Sequence, residues 1–177
     1  MRVTVARLPT ASAMTRPTEA ETKLGFMGYI LQMHLIEKTV VIAAPPATVW
    51  AALTDPAAMR AWMGEPEMAI DVATDWRPGS PIVIRGVHHG PFRNQGNVLD
   101  AVPDALLRYT HLSSVSALAD VPEHYSVIAF ALDAVEGGTS VRLTVERFAT
   151  DTIYRHLDLY WRGTMEVFKA FVERRTM

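Results

Sequence analysis

The chain has 177 residues, 49% of them apolar and 20% charged, with a formal net charge of -2 and no cysteine. This is the composition of one globular domain with a sizeable core. Without a run of Lys and Arg it lacks the basic face that binding to phosphate needs, which excludes nucleic acid as the main partner. The absence of cysteine removes disulfides, thiolate zinc sites and a thiol nucleophile, and it fits a reducing cytoplasm. Residues 1–32 carry no hydrophobic period and hold polar and turn residues ("LPTASAMTRPTEAET"). They predict a mobile N-terminal extension, with the domain itself over 33–177 and Met33 as an alternative start. "LGFMGYIL", residues 24–31, is too short for a membrane span of roughly 20 residues. It follows Glu19 and Glu21 and has no small-residue cleavage site behind it, so it does not read as a signal peptide.

The first strand is expected over 34–43, "HLIEKTVVIA". Pro45 and Pro46 stop it and open a helix, because proline is tolerated in a first helical turn. That helix, "ATVWAALT", puts Val49, Trp50 and Leu53 on one side. Thr54 or Asp55 can cap a second short helix, for which Pro56 suits the first position and which carries Met59, Trp62 and Met63. Strands follow. "EMAIDVATD" alternates, with Met68, Ile70 and Val72 facing one way. "WRPGS" is a turn, then come "PIVIRGVHH", "FRNQGNVLDAV", a turn at Pro103-Asp104, and "LLRYTHLSS". After a loop, "VSALADVPE", the strand "HYSVIAFALDAV" meets the hairpin turn Glu136-Gly137-Gly138-Thr139. "TSVRLTVERF" places Val141, Leu143 and Val145 inward. From Asp151 to about Arg174 a helix of about 36 Å carries one apolar stripe. Its members are Ile153, Leu157, Tyr160, Trp161, Met165, Phe168, Phe171 and Val172. Arg155, Asp158, Arg162, Glu166, Lys169 and Glu173 form a polar stripe, and the inward faces of the strands are the surface on which the apolar one must lie.

This order of elements resembles the helix-grip fold (START-like, SRPBCC, Bet v 1-like), an α+β architecture. It implies a curved antiparallel sheet of about seven strands around a long C-terminal helix, with two short helices after the first strand. "IAAPPATVWAALTDPAAMRAWM", "WRPGS", "GNVLDAVPDALLRYTH", "GGTSVRLT" and "YWRGTMEVFKAFVE" together resemble the subfamily named for the activator of the Hsp90 ATPase. The resemblance covers about residues 34–175. It implies a cavity between sheet and long helix, closed at one end by the two small helices with Trp50 and Trp62.

A magnitude limits that cavity. Ligand pockets measure about 300–1,000 Å³. At about 24 cal/mol per Å³, a dry void of about 300 Å³ costs about 7 kcal/mol, comparable to a domain's net stability of about 5–15 kcal/mol. The space must hold side chains, water or a ligand. Met68, Ile70, Ile128, Phe130, Leu143, Tyr160, Trp161, Met165 and Phe168 nearly fill a small one, so the expectation is a reduced pocket and not a wide lipid tunnel. Tyr109 and His111 share a strand phase; an inward His111 either binds a polar group, acts as a base or is a hydrogen-bonded structural residue. The candidate lining is Trp50, Trp62, Met68, Ile70, Tyr109, His111, Ile128, Phe130, Leu143, Tyr160, Trp161 and Met165. His88-His89, beside Gly90-Pro91, is a poor chelate, because neighbours on a strand point apart. His124 follows a loop, and His34 and His156 read as surface or edge positions. Asp100, in phase with Val98, is expected near the cavity rim.

Three functions are open. One is binding of a small hydrophobic or amphipathic ligand in the cavity. A second, implied by the resemblance, is a stress-response module that stimulates an Hsp90-type ATPase; in the eukaryotic activator a further N-terminal domain accompanies this one, and residues 1–32 are too short to be it. The third is a polyketide cyclase or aromatase using His111, Tyr109 or Asp100. No triad, metal spacing, Walker loop or dinucleotide fingerprint appears, so no catalytic residue, metal or cofactor is expected. A homodimer is plausible for a small protein of this shape.

Overall fold

Pro45 and Pro46 set the first corner of the chain. The computed structural model of the protein describes residues 34–176. The expected extension over 1–32, and Met33, lie outside the described residues. Strand β1 (Leu35–Ile42) ends just before the prolines, and helix α1 (Pro46–Thr54) begins at the second of them. Asp55 closes α1 and caps helix α2 (Pro56–Trp62), its carboxylate accepting from the Ala57 N–H at 2.9 Å. That bond satisfies a donor which the first turn leaves free.

Six strands follow: β2 (Asp71–Ala73), β3 (Pro81–Val87), β4 (Pro91–Val102), β5 (Leu106–Ser113), β6 (Ser126–Val135) and β7 (Gly138–Glu146). They join β1 in one curved, antiparallel, seven-stranded sheet, ordered β1-β7-β6-β5-β4-β3-β2. Val135 pairs with Gly138 across the two-residue turn Glu136-Gly137, where Gly137 has φ +81°. Two strands are shorter than their alternation predicts. The segment before β2 folds instead into a 3-10 turn at Pro66–Met68, and Ala69 takes a left-handed φ of 46°, so Met68 and Ile70 do not share a strand. Before β6, Pro122 opens a 3-10 turn through His124, and pairing starts at Ser126.

Helix α3 (Asp151–Thr176) lies in the concave face, and its core-facing stripe is Leu157, Trp161, Thr164, Met165, Phe168 and Val172. Opposite it stand Ile36, Val40 and Ile42 of β1, Val141, Leu143 and Val145 of β7, Ile128, Phe130 and Leu132 of β6, and Leu107 and Tyr109 of β5, all buried. Full burial of such side chains contributes about 1.5–3 kcal/mol each. Phe130 and Trp161 meet edge to face at 5.5 Å, and Trp62 tilts against Phe168 at 4.7 Å. The two small helices are fixed over one end of this core by three hydrogen bonds. Trp62 Nε1 donates to Ala52 O at 2.9 Å, Trp76 Nε1 to Thr54 O at 2.6 Å, and the Tyr160 hydroxyl to Met63 O at 2.9 Å.

Helix α3 also guards the open edge of β1. Lys169 Nζ donates to Val41 O at 2.7 Å, and Glu173 Oε1 accepts from the Ala43 N–H at 2.9 Å. Lys38 of β1 pairs with Asp158 at 2.8 Å. An unpaired strand edge invites another strand, and charged side chains placed on it block that.

Candidate functional site

The centre of the clasp is occupied by buried side chains. Trp62, Ile70, Ile128, Phe130, Leu143, Trp161 and Met165 are buried among one another, and Trp50 and Met68 are half-buried against the same cluster. Tyr109 is buried and Tyr160 half-buried, and loss of solvation pushes both phenols up, Tyr160 to about 12. Neither is ionised near neutrality. The Trp161 indole N–H has no acceptor among the described residues.

Open space lies at the two ends. One cavity, of about 160 Å³, runs between the small helices and the end of α3, lined by Thr48, Ala51, Asp55, Ala58, Val172 and Arg175 among others. The other, of about 180 Å³, lies between the last residues of β5, the β5–β6 connection and the first two turns of α3. Its apolar wall is Leu112, Val115, Ile153 and Leu157; its polar groups are His111, Ser113, Ser116, His124, Thr152 and His156. Of the twelve candidate residues, His111 alone lines either cavity.

The β5 alternation that buries Tyr109 also turns His111 inward. Burial pulls its imidazole down to about 4, and His156 across the cavity adds a smaller effect in the same direction. His111 is therefore neutral at pH 7 and offers one N–H donor and one acceptor nitrogen. His124 is held by a 2.7 Å contact from Nδ1 to Ala119 O. Facing a carbonyl, Nδ1 carries the hydrogen, so Nε2 is left as an acceptor. His156, expected as a surface or edge position, and His124, read as following a loop, thus belong to the cavity wall. They arrive from a loop and from a helix turn, and no local pattern links them to His111.

The remaining polar candidates lie elsewhere. Asp100 leaves the phase of Val98, because a β-bulge at Leu99 shifts the pairing from Val98–Tyr109 to Asp100–Arg108. The extra residue flips every later side chain, and Asp100 joins Arg108 in a 2.8 Å ion pair on the opposite face from Tyr109. His88 and His89 are not strand neighbours pointing apart. They form the turn between β3 and β4, with φ 55° at His89 and the two exposed rings edge to face at 4.3 Å. His34 stacks on Tyr154 at 4.4 Å. Among the described residues no three His, Asp or Glu side chains converge as metal ligands, and no helix is long and apolar enough to cross a membrane.

A sheet clasping one long helix, with two small helices across one end and a cavity beside the helix, defines a helix-grip protein of the START-like class. The family model described as "Activator of Hsp90 ATPase homolog 1-like protein" matches residues 43–173, and the chain belongs to that family. Among solved structures it is similar to protein ChR145 of Cytophaga hutchinsonii, with 30% identity over 81% of this chain and 96% of that one and a TM-score of 0.67. The Aha1 dimer of Colwellia psychrerythraea matches at 23% identity over 80% and 97% of the two chains, with a TM-score of 0.63. Ms6760 of Mycobacterium smegmatis matches at 15% identity over 83% and 93%, with a TM-score of 0.67. These last two likenesses are of fold alone. No curated protein sequence matches the chain.

Proposed function

We propose that the chain binds a small amphipathic molecule in the cavity beside His111. Leu112, Val115, Ile153 and Leu157 hold its apolar body, and His111, with Ser116 and the free nitrogen of His124, holds its polar end. The observation that carries this reading is a histidine kept neutral by burial on the wall of an apolar cavity. A neutral imidazole in such a place suits an uncharged donor and acceptor such as a phenol, an alcohol or a protonated acid. A bare carboxylate would have to bring a proton with it. At about 180 Å³ the space falls below the usual pocket range of about 300–1,000 Å³, so the ligand is small. The remaining lining candidates of the clasp act on the ligand only through the packing that shapes this cavity. The lack of cysteine suits a cytoplasmic setting.

The test is a titration with simple phenols and short-chain alcohols, followed through the histidine ring resonances. At millimolar ligand, the His111 and His156 signals shift and those of exposed His88 do not. His111→Phe, which fills the space with apolar bulk, abolishes the response. Equal small shifts at all histidines, or none, would refute the proposal.

The family's description favours one second reading, docking to an Hsp90-type ATPase. Addition of this chain then raises the steady-state ATP hydrolysis of such an enzyme, and an unchanged rate at micromolar concentration removes that reading. The cyclase or aromatase reading has lost Asp100 to the far face of the sheet.

A further inference from the structure

The polar hydrogens around the cavity beside His111 are unevenly placed. Ser116, on the β5–β6 connection, has one hydroxyl hydrogen and two lone pairs. The hydrogen is committed, because Ser116 Oγ donates to Ser113 O at 2.6 Å, and the same oxygen accepts from the Leu118 N–H at 3.3 Å. One lone pair remains. His124 commits its Nδ1 hydrogen to Ala119 O at 2.7 Å, which leaves Nε2 as an acceptor. Both residues line the cavity, and both can accept a hydrogen bond there without being able to donate one. We infer, on the reading that this cavity takes a ligand, that it selects molecules which bring their own donor. The O–H of an alcohol or a phenol is favoured over ketones, ethers and esters of similar shape.

The rest of the lining does not offset this bias. Among the described residues no Lys, Arg, Asp or Glu lines the cavity. Uncharged imidazoles at His111 and His156 offer one donor and one acceptor each, and the hydroxyls of Ser113 and Thr152 turn to suit what they meet. A carbonyl or ether oxygen can therefore pair with His111, but it meets Ser116 and His124 with lone pairs on both sides. An acceptor covered by such a ligand loses the hydrogen that water gave it, whereas a hydroxyl supplies one. Discrimination of this kind exceeds what shape alone provides, because the cost falls on unpaired groups of the site itself.

The two acceptors are also held in place. The Arg93 N–H of β4 donates to Ser114 Oγ at 2.8 Å, and Gln95 Nε2, also of β4, donates to Asp120 Oδ2 at 2.7 Å. The Tyr125 hydroxyl donates to the other oxygen of Asp120 at 2.6 Å. One carboxylate thus ties the connection both to β4 and to the residue before β6. Acceptors supported in this way do not turn aside when the wrong ligand enters.

Two pairs of probes isolate the donor. Cyclohexanol and cyclohexanone carry oxygen on the same carbon of the same ring, and only the alcohol has a hydrogen on it. Phenol and anisole repeat the comparison on an aromatic ring. Each is titrated into the full chain at about pH 8, where an imidazole of ordinary basicity is neutral, and followed through the His111 and His156 ring resonances. Cyclohexanol is expected to bind at least about tenfold tighter than cyclohexanone, and phenol tighter than anisole. Ser116→Ala combined with His124→Phe brings both ratios close to one. Equal affinity within the pairs, or tighter binding of the ketone, overturns the selectivity while leaving the cavity as a binding site. A ratio that survives the double replacement overturns it too, since the preference then arises elsewhere. If none of the four probes moves these resonances, the proposed function fails together with the selectivity.

Discussion

His111 shows how one partly buried side chain ties a cavity to the stability of the whole. In the unfolded chain its imidazole takes up a proton near pH 6.5. In the folded protein it does so only near pH 4, mainly because burial disfavours the charged form. Between those values the unfolded state binds the extra proton, so stability falls as pH drops through that window. The loss has an upper limit of about 3 kcal/mol, at about 1.4 kcal/mol per pH unit. His111→Gln removes this component. Urea unfolding at about pH 7 and about pH 4.5 is expected to show a smaller acid loss for the variant than for the natural chain. The other titrating groups are common to both proteins and cancel in the comparison. The inward direction of His111 was legible in the sequence, since period-two alternation couples it to Tyr109. Its company was not. Ser116, His124 and His156 reach the cavity by tertiary folding, and single polar residues in a loop or on a helix carry no sign of what they face.

At the level of the element, the longest strand is also the least regular. Within β4 the pairing with β5 slips between Val98 and Asp100, and Gly96 stands just upstream. A Cβ at Gly96 would lie 1.6 Å from the Thr110 carbonyl oxygen, a backbone atom that cannot rotate away. Close approach of this kind is one reason for glycine inside a strand. Gly96→Ala is therefore expected to lower stability by about 1–3 kcal/mol or more, measured by denaturant unfolding, through forced separation of β4 from β5. Gly79→Ala tests the contrast: a side chain there meets nothing within 4 Å, and its φ of +88° is the only source of strain. Long periodic elements were read correctly from sequence. The α3 stripe, the Pro45-Pro46 corner and the Glu136-Gly137 hairpin each rest on signals that act over a few residues. The bulge at Leu99 and the left-handed Ala69 broke the reading. Neither carries the glycine or proline that marks such a departure, so alternation was extrapolated through Asp100 and from Met68 to Ile70 as if the strands were straight.

The molecule as a whole is a clasp whose middle is filled by buried side chains, with a cavity at each end. Phe168, at the centre of α3 and fully buried, sits between the small helices and the sheet. Phe168→Ala is expected to cost about 3–5 kcal/mol and to leave a cavity that binds small aromatic solutes. Calorimetry with benzene, against the natural chain as control, would detect the new site. The burial of Trp161, Phe130 and Met165 was legible from their places on the helix stripe and strand face; the position of the two end cavities was not, because it depends on how the ends of the sheet diverge from the helix. The topology has a consequence for synthesis. β1 is the end strand of the sheet, paired with β7, and among the described residues Lys169 and Glu173 of α3 bond to its other edge. Its strand partner follows it by roughly a hundred residues, which at about 5–20 residues per second leaves β1 unpaired for about 5–20 s as the ribosome works. The nascent chain must therefore carry a sticky apolar ribbon until its last helix emerges, and the final thirty or so residues act as the latch that ends its exposure to neighbouring chains.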